Sequence, residues 1–407
     1  MTFRNVFIAV FFGTALIVAA MLINKARPII ETAQPAPEYV RASGKCAECH
    51  SRETSAIVHQ FSMSAHARAD ITCYDCHSPE SGQEEYAHNG FILARELTAL
   101  NCARCHSTEY EQFKKSRHAA PAWAAVQGEG DFTLEQIEFA EKYHPGTVRR
   151  GANKLDIVEG AGVLALGCEA CHSIGKPNTD GSIGNCTQCH ARHSTSIALA
   201  RQPATCGQCH MGPDHSQLEI YNESKHGVLY RSQRSILNLN APPKNLTTRD
   251  MSIPTCATCH MSGLEGMNVT HDVTERLSWW LFAAVSEKRP NYTMGQDAMK
   301  NICLKCHATS QVDKFYEEAE VVVHSTNAKV QEAIDLVAEL RQEGLLTPEP
   351  FDEPIEFMAF DLWHYYGRTA KHGAFMGGAD FVQWHGNYEL LLHIVEMKQI
   401  AKELRAE

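Results

Sequence analysis

The sequence predicts a mainly α-helical chain. A body of short helices and loops is followed by a C-terminal long-helix hairpin and preceded by an N-terminal transmembrane helix. Three observations carry this reading. Apolar residues recur at three- and four-residue spacing after residue 310. Alternating, strand-like stretches are scarce before it. One five-residue unit, Cys-x-x-Cys-His, punctuates the chain eight times between residues 46 and 307.

Residues 1–24 read as a membrane anchor. After Arg4, the run Val6–Ile23 (VFIAVFFGTALIVAAMLI) has Thr14 as its only polar member. A helix of that length reaches about 27 Å at about 1.5 Å per residue, close to the thickness of a bilayer core. A cleaved signal has a shorter apolar region and a small-x-small cleavage site. Here Asn24-Lys25-Ala26-Arg27 follows instead, which favours an uncleaved anchor. Either alternative puts the body outside the cytoplasm, in the periplasm, with the anchor holding it to the cytoplasmic membrane. Residues 25–44, with Pro28, Pro35 and Pro37, read as a polar linker.

The body spans 45–310. All 16 cysteines fall in the eight units: Cys46 and Cys49, Cys73 and Cys76, Cys102 and Cys105, Cys168 and Cys171, Cys186 and Cys189, Cys206 and Cys209, Cys256 and Cys259, Cys303 and Cys306. The spacing is the attachment signal for c-type haem. Two thiols add to the vinyl groups, and the next residue supplies an axial nitrogen. The proximal iron ligands are then His50, His77, His106, His172, His190, His210, His260 and His307. Zinc sites and disulfides give no reason for a histidine after every pair. The chain is therefore expected to hold eight covalently bound haem c groups. Most of its core should be contact between haem and side chain. The motifs at Cys168, Cys186 and Cys206, close in sequence, should be close in space. The stretch TLEQIEFAEKYH, 133–144, reads as a helix capped by Thr133 with a glutamate closing the capping box. The net charge of −11 and pI near 6.1 argue against a nucleic-acid partner.

Residues 311–407 form a helical region packing on haems and on neighbouring subunits. Val330, Ile334, Val337 and Leu340 mark one apolar face, and Gly344 and Pro348 are stop signals. Glu353 to Ala406 continues the helical pattern and ends in an amphipathic, basic-tailed segment. The expected arrangement is an antiparallel hairpin.

A second repeat is independent of the cysteines. FSMSAH ends at His66, FKKSRH at His118 and YNESKH at His226. In each, an aromatic residue is followed by Ser three positions on, then His, then Ala or Gly. These histidines read as distal iron ligands, the small neighbour allowing a porphyrin to approach the backbone. With His88, His193, His271 and His385 they make seven. His59, His144, His324, His364, His372 and His393 are weaker candidates. Asp214-His215 follows the sixth motif. A carboxylate-held histidine near an open iron site suits proton transfer. The alternative is a helix cap opening SQLEIYNESKH.

The eight motifs, with CGQCHMGPDHSQLEIYNESKHG and CATCHMSGLEGMNVTHDVTERLSWWLFAAVSEKRPNY, resemble the octahaem hydroxylamine oxidoreductase family over about 46–393. The resemblance implies a mainly helical homotrimer in which seven haems, each held by two histidines, conduct electrons. It implies catalysis at the fourth haem, on Cys168, Cys171 and His172, with Asp214 and His215 on its distal side. Members that oxidise hydroxylamine carry a tyrosine, from the neighbouring subunit, linked to that haem. Here the matching stretch has Phe375 and Phe381, although Tyr365, Tyr366 and Tyr388 are nearby. That departure implies reduction of nitrite, hydroxylamine or both towards ammonium. Electrons would come from a membrane quinol-linked donor or a partner cytochrome. The alternatives are an oxidative hydroxylamine dehydrogenase and a non-enzymatic multihaem electron-transfer protein.

Overall fold

The structure is a computed structural model that describes Thr14, 44–153 and 155–406. Apart from Thr14, the anchor expected over Val6–Ile23 lies outside the described residues. Among those described, no helix is long and apolar enough to cross a membrane. The chain divides into two compact units, Met1–Cys73 and Tyr74–Glu407, so the boundary falls within the second motif.

In the first unit, α1 (Gly44–Glu53) carries the first motif, and α2 (Ser55–Ser62) and α3 (Ala65–Arg68) follow. In the second unit the body is built of short helices. The motifs themselves explain part of this, because each closes a single helical turn. The His amide donates to the carbonyl of the first cysteine, at 2.9 Å for His106 and Cys102 and 3.0 Å for His210 and Cys206. One small hairpin pairs β1 (Glu85–His88) with β2 (Phe91–Ala94). Asn89 and Gly90 both take positive φ between them, the conformation that tight hairpin turns demand.

Helix α4 (Ala120–Gln127) buries Trp123 and Ala124. Helix α5 (Leu134–Tyr143) has the expected capping box at Thr133, but Gln136 closes it rather than a glutamate, since Gln136 occupies the third helical position. Helices α6 (Gln217–Glu223) and α7 (Lys225–Gln233) follow the sixth motif. Helix α8 (Tyr292–Cys303) runs into the eighth.

The C-terminal region departs from the expected two-armed hairpin. Helix α9 (Thr309–Gln342) has 34 residues, about 51 Å, and carries the apolar face expected from Val330 to Leu340. Helix α10 (Pro354–Asp361), a π-helical turn at Leu362–Gly367 and α11 (Arg368–Met376) return along it. The direction follows from the partners: Glu356 pairs with Arg341, and Phe375 packs on Tyr316 at 5.7 Å. Gly377, at φ 72°, then ends the arm, and Gly378 donates to the Gly373 carbonyl at 2.9 Å. A third arm ends in α12 (Glu389–Leu404) and runs parallel to α9, since Lys398 pairs with Glu332 and Arg405 with Glu339 and Glu343. The bundle is therefore three-armed. Its core joins Val330, Ala333, Val337 and Leu340 to Leu362, Ala370, Leu390, Ile394 and Met397.

Candidate haem and catalytic site

None of the sixteen cysteines forms a disulfide, and none is fully buried. Unpaired cysteine is ordinarily among the most buried residues, so these thiols face space that something else fills. Their neighbours give the motifs a spatial order that differs from the sequence order. The Cys102 thiol hydrogen-bonds Cys186, which raises the former and lowers the latter. Cys206 does the same with Cys256. Burial and the Cys171 thiol push Cys209 up to about 12. The third motif thus adjoins the fifth, the fourth adjoins the sixth, and the sixth adjoins the seventh. Cys189 also lies within electrostatic reach of Cys206, so the sixth motif neighbours both the fourth and the fifth.

The aromatic-Ser-His repeat is a shared local fold. In each copy the Ser amide donates to the aromatic carbonyl: Ser64 to Phe61 at 2.9 Å, Ser116 to Phe113 at 2.9 Å, Ser224 to Tyr221 at 3.1 Å. The Ser hydroxyl then caps the turn that carries the histidine. It accepts from Ala67 at 3.0 Å, from His118 at 3.2 Å and from Gly227 at 3.2 Å. The small residue after the histidine packs on backbone: a Cβ at Gly227 would collide with the Tyr221 carbonyl. That contact by itself requires the small side chain at Gly227.

Two imidazoles on opposite faces of one iron, each bound at about 2 Å, have ring centres roughly 6 Å apart. His118 and His210 are 5.8 Å apart, His226 and His307 5.9 Å, and His190 and His271 6.5 Å. Burial pushes His118 down to about 3 and His210 to about 4, which keeps both rings neutral, as ligands must be. Other candidates are scattered. His88 ends β1 at the hairpin turn, and His193 takes a left-handed backbone at φ 65°. His385 is 60% exposed, bonded to Asp380 at 2.9 Å and stacked on Phe381. His66 sits in the capped turn of α3.

The fourth motif is set apart by its surroundings. A π-helical turn at Leu164–Cys168 leads into it, and its flank exposes Ile157, Val158, Val163 and Leu166, the last by 86%. Such a flank fits an apolar ring system lying against it. The His172 Nδ1–H donates to the Ala122 carbonyl of α4 at 2.5 Å. This fixes the tautomer and leaves Nε2 free for a metal. His172 lies within electrostatic reach of His215, Asp214 and Arg368, and Cys168 within reach of Asp214.

Asp214 is not a helix cap. Helix α6 begins after Ser216, which makes no side-chain capping bond and instead meets Thr369 at 3.1 Å. Asp214 hydrogen-bonds His215 Nδ1 directly. Burial opposes its charge, but His215, His364 and Arg368 together hold the carboxyl below its usual range. The His215 ring lies 5.0 Å from Phe282.

The C-terminal bundle completes the site with residues that sequence reasoning rated low or passed over. Arg368 Nη1 is 3.9 Å from Asp214, and its Nε–H donates to the Phe282 carbonyl at 2.9 Å. Phe282 also packs on His372 at 4.7 Å. Burial, reinforced by the Arg368 charge, pushes His364 down to about 3. Lys371, 0% exposed, donates to Ala283 and Ala284 carbonyls and to Ser286 Oγ. The available signal was His364, Arg368 and His372 at successive four-residue spacing on one helical run.

A family model described as "Seven times multi-haem cytochrome CxxCH" matches residues 69–354. A probable nitrite reductase-hydroxylamine oxidoreductase fusion protein of Kuenenia stuttgartiensis is 24% identical over 353 residues, 76% of this chain and 39% of that protein. The chain thus spans about two fifths of the length of this curated relative. Among solved structures, a hypothetical multiheme protein matches with TM-score 0.76 at 23% identity, covering 92% of this chain and 97% of that one. A reducing HAO-like protein complex of Kuenenia stuttgartiensis matches with TM-score 0.68 at 20% identity, covering 91% and 87%. With its motifs folded as helical turns and most of its length inside the family match, the chain belongs to the multi-haem CxxCH cytochromes and carries covalently bound c-type haem.

Proposed function

We propose that the protein is an octahaem oxidoreductase that reduces nitrite, hydroxylamine or both towards ammonium at the fourth motif. One observation carries the reading: Asp214, His215 and Arg368 converge beside His172. Cys168, Cys171 and His172 would hold the haem there, which would supply an iron for the substrate nitrogen and electrons arriving from the other motifs. Nitrite takes up six electrons and eight protons to give ammonium and two waters; hydroxylamine takes up two and three. Asp214 and His215 hold a proton in the hydrogen bond between them and release it to the departing oxygen. Phe282 fixes the His215 ring, and His364 and His372, kept neutral by burial, leave Asp214 and Arg368 as the charges around it.

The succession from third to fifth to sixth to seventh motif, with the fourth branching from the sixth, supports an electron path ending at one site. A periplasmic position on an N-terminal anchor, a homotrimer and a quinol-linked donor or partner cytochrome complete the proposal. The likeness to a chain from an HAO-like complex supports a cytochrome partner. The reductive direction is supported by Phe375 and Phe381, which lack a phenolic oxygen and pack on Tyr316 and His385 of their own chain.

The test is turnover with a reduced dye. Asp214→Asn and His215→Ala should each lower nitrite and hydroxylamine reduction by roughly a hundredfold or more, the usual worth of a positioned acid. Unchanged turnover would sink the assignment. A low-spin spectrum that carbon monoxide leaves unperturbed would instead identify a pure electron carrier.

A further inference from the structure

Arg368 is held in an unusual way. Its guanidinium lies between two aromatic rings, 5.3 Å from Phe282 and 4.9 Å from Trp363. Nε is committed to the Phe282 carbonyl. The side chain is only 11% exposed, yet its one carboxylate partner among the described residues, Asp214, is 3.9 Å away, beyond hydrogen-bond reach. That carboxylate is bonded to His215 instead. Among the described residues, the two terminal nitrogens therefore hydrogen-bond nothing. The aromatic slot and the Nε bond fix the plane of the fork and leave its outer edge free, beside Asp214 and the fourth motif.

A planar two-oxygen anion matches such a fork, because two parallel N–H groups meet two oxygens. Nitrite has that shape and charge. Hydroxylamine is neutral and has one oxygen. His364 and His372 bring no charge to the site, since both are held neutral, and His372 Nδ1 is already bonded to the Arg368 carbonyl at 2.8 Å. Lys371 points its ammonium away, into the 283–286 backbone. The geometry points to Arg368 as the residue that binds the nitrite oxygens, so that the site selects an anionic nitrogen oxide over neutral hydroxylamine. This inference rests on the reductive reading of the same site.

The test uses the full haem-loaded protein and the variants Arg368→Gln and Arg368→Lys. The first readout is nitrite affinity, from the spectral change on titrating the oxidised protein. The second is kcat/KM for nitrite and for hydroxylamine. Arg368→Gln should weaken nitrite binding and lower nitrite kcat/KM by roughly ten- to a hundredfold more than hydroxylamine kcat/KM, the scale of a lost charge-assisted pair. Arg368→Lys, which keeps the charge and loses the fork, should fall between. Equal losses for both substrates would overturn the inference, because they would mark Arg368 as a clamp for Phe282 alone. No loss for either would overturn it too. If Arg368→Gln does not fold, the nitrite-to-hydroxylamine ratio in Arg368→Lys decides. The reductive reading fails separately, when Asp214→Asn and His215→Ala leave turnover intact.

Discussion

Replacing Ser224 by alanine tests whether the aromatic-Ser-His repeat holds an iron ligand. Ser224 is buried and makes two bonds through Oγ: it accepts from the Gly227 amide at 3.2 Å and donates to the Tyr221 carbonyl at 2.7 Å. Alanine removes both, with unequal effects. The Tyr221 carbonyl still accepts the Ser224 backbone N–H at 3.1 Å, so it keeps a partner. The Gly227 N–H loses the acceptor its cap provided. Loss of an N-cap costs about 1 kcal/mol, and a buried donor left unpaired pushes the figure towards about 2 kcal/mol. Local opening of α7 should then rise roughly tenfold, since about 1.4 kcal/mol is a factor of ten. Hydrogen exchange of the peptide covering Lys225–Gln233, in the haem-loaded protein, reads this directly. Because His226 sits in the first turn of α7, the same opening should let one haem turn high-spin at lower denaturant than in the parent. Ser224→Thr, which restores the acceptor, should reverse both effects. Unchanged exchange in Ser224→Ala would refute the capping argument. Faster exchange with no further haem turning high-spin would refute the ligand role of His226.

Two further outcomes follow from burial. Lys371 is pushed down to about 7 by burial and then by Arg368, whereas in the unfolded chain it titrates near 10.4. The unfolded state then binds the extra proton between those values, so the penalty is full below about pH 7 and fades as pH rises. Parent stability should gain on the order of 1 kcal/mol per pH unit relative to Lys371→Met from about pH 7 to about pH 9, read by thermal melts; a constant difference would contradict this. Leu340, 0% exposed in the three-armed core, should cost about 2–5 kcal/mol when cut to alanine, lowering the denaturation midpoint without altering the haem spectrum.

How much of this was legible depended on whether the signal is local. The cofactor was, because a thioether haem needs five consecutive residues and the chain repeats them. The serine repeat was visible as a pattern, but its cause was not: capping and backbone contact involve hydrogen bonds that spacing alone does not specify. Helical periodicity marked α9 and α12 but carries no direction, so the reversal at Gly377 and Gly378 and the parallel third arm stayed hidden. The order of the motifs in space was equally hidden, since Cys102 meets Cys186 and Cys171 meets Cys209 across long sequence separations. Asp214 and His215 stood out by adjacency. Arg368, about 150 residues further on, did not, because a π-helical turn and a whole bundle intervene before it reaches Asp214.

The bundle is consequently part of the site's construction. The body contributes His172, Asp214 and His215, while α11 contributes Arg368, Lys371 and His372. One short segment, 282–286, gathers several of the bonds between the two. Arg368 holds the Phe282 carbonyl, and the three N–H groups of Lys371 meet Ala283, Ala284 and Ser286 at 2.9, 3.1 and 2.7 Å. A methionine of similar reach would bury more cheaply than an ammonium with no carboxylate partner. What the ammonium adds is direction. Three bonds of fixed geometry set the 282–286 backbone against α11, and so set the Phe282 ring between His215 and Arg368. The proposed delivery of protons to one small molecule needs His215 held to within fractions of an ångström, and packing alone leaves a ring more freedom than that.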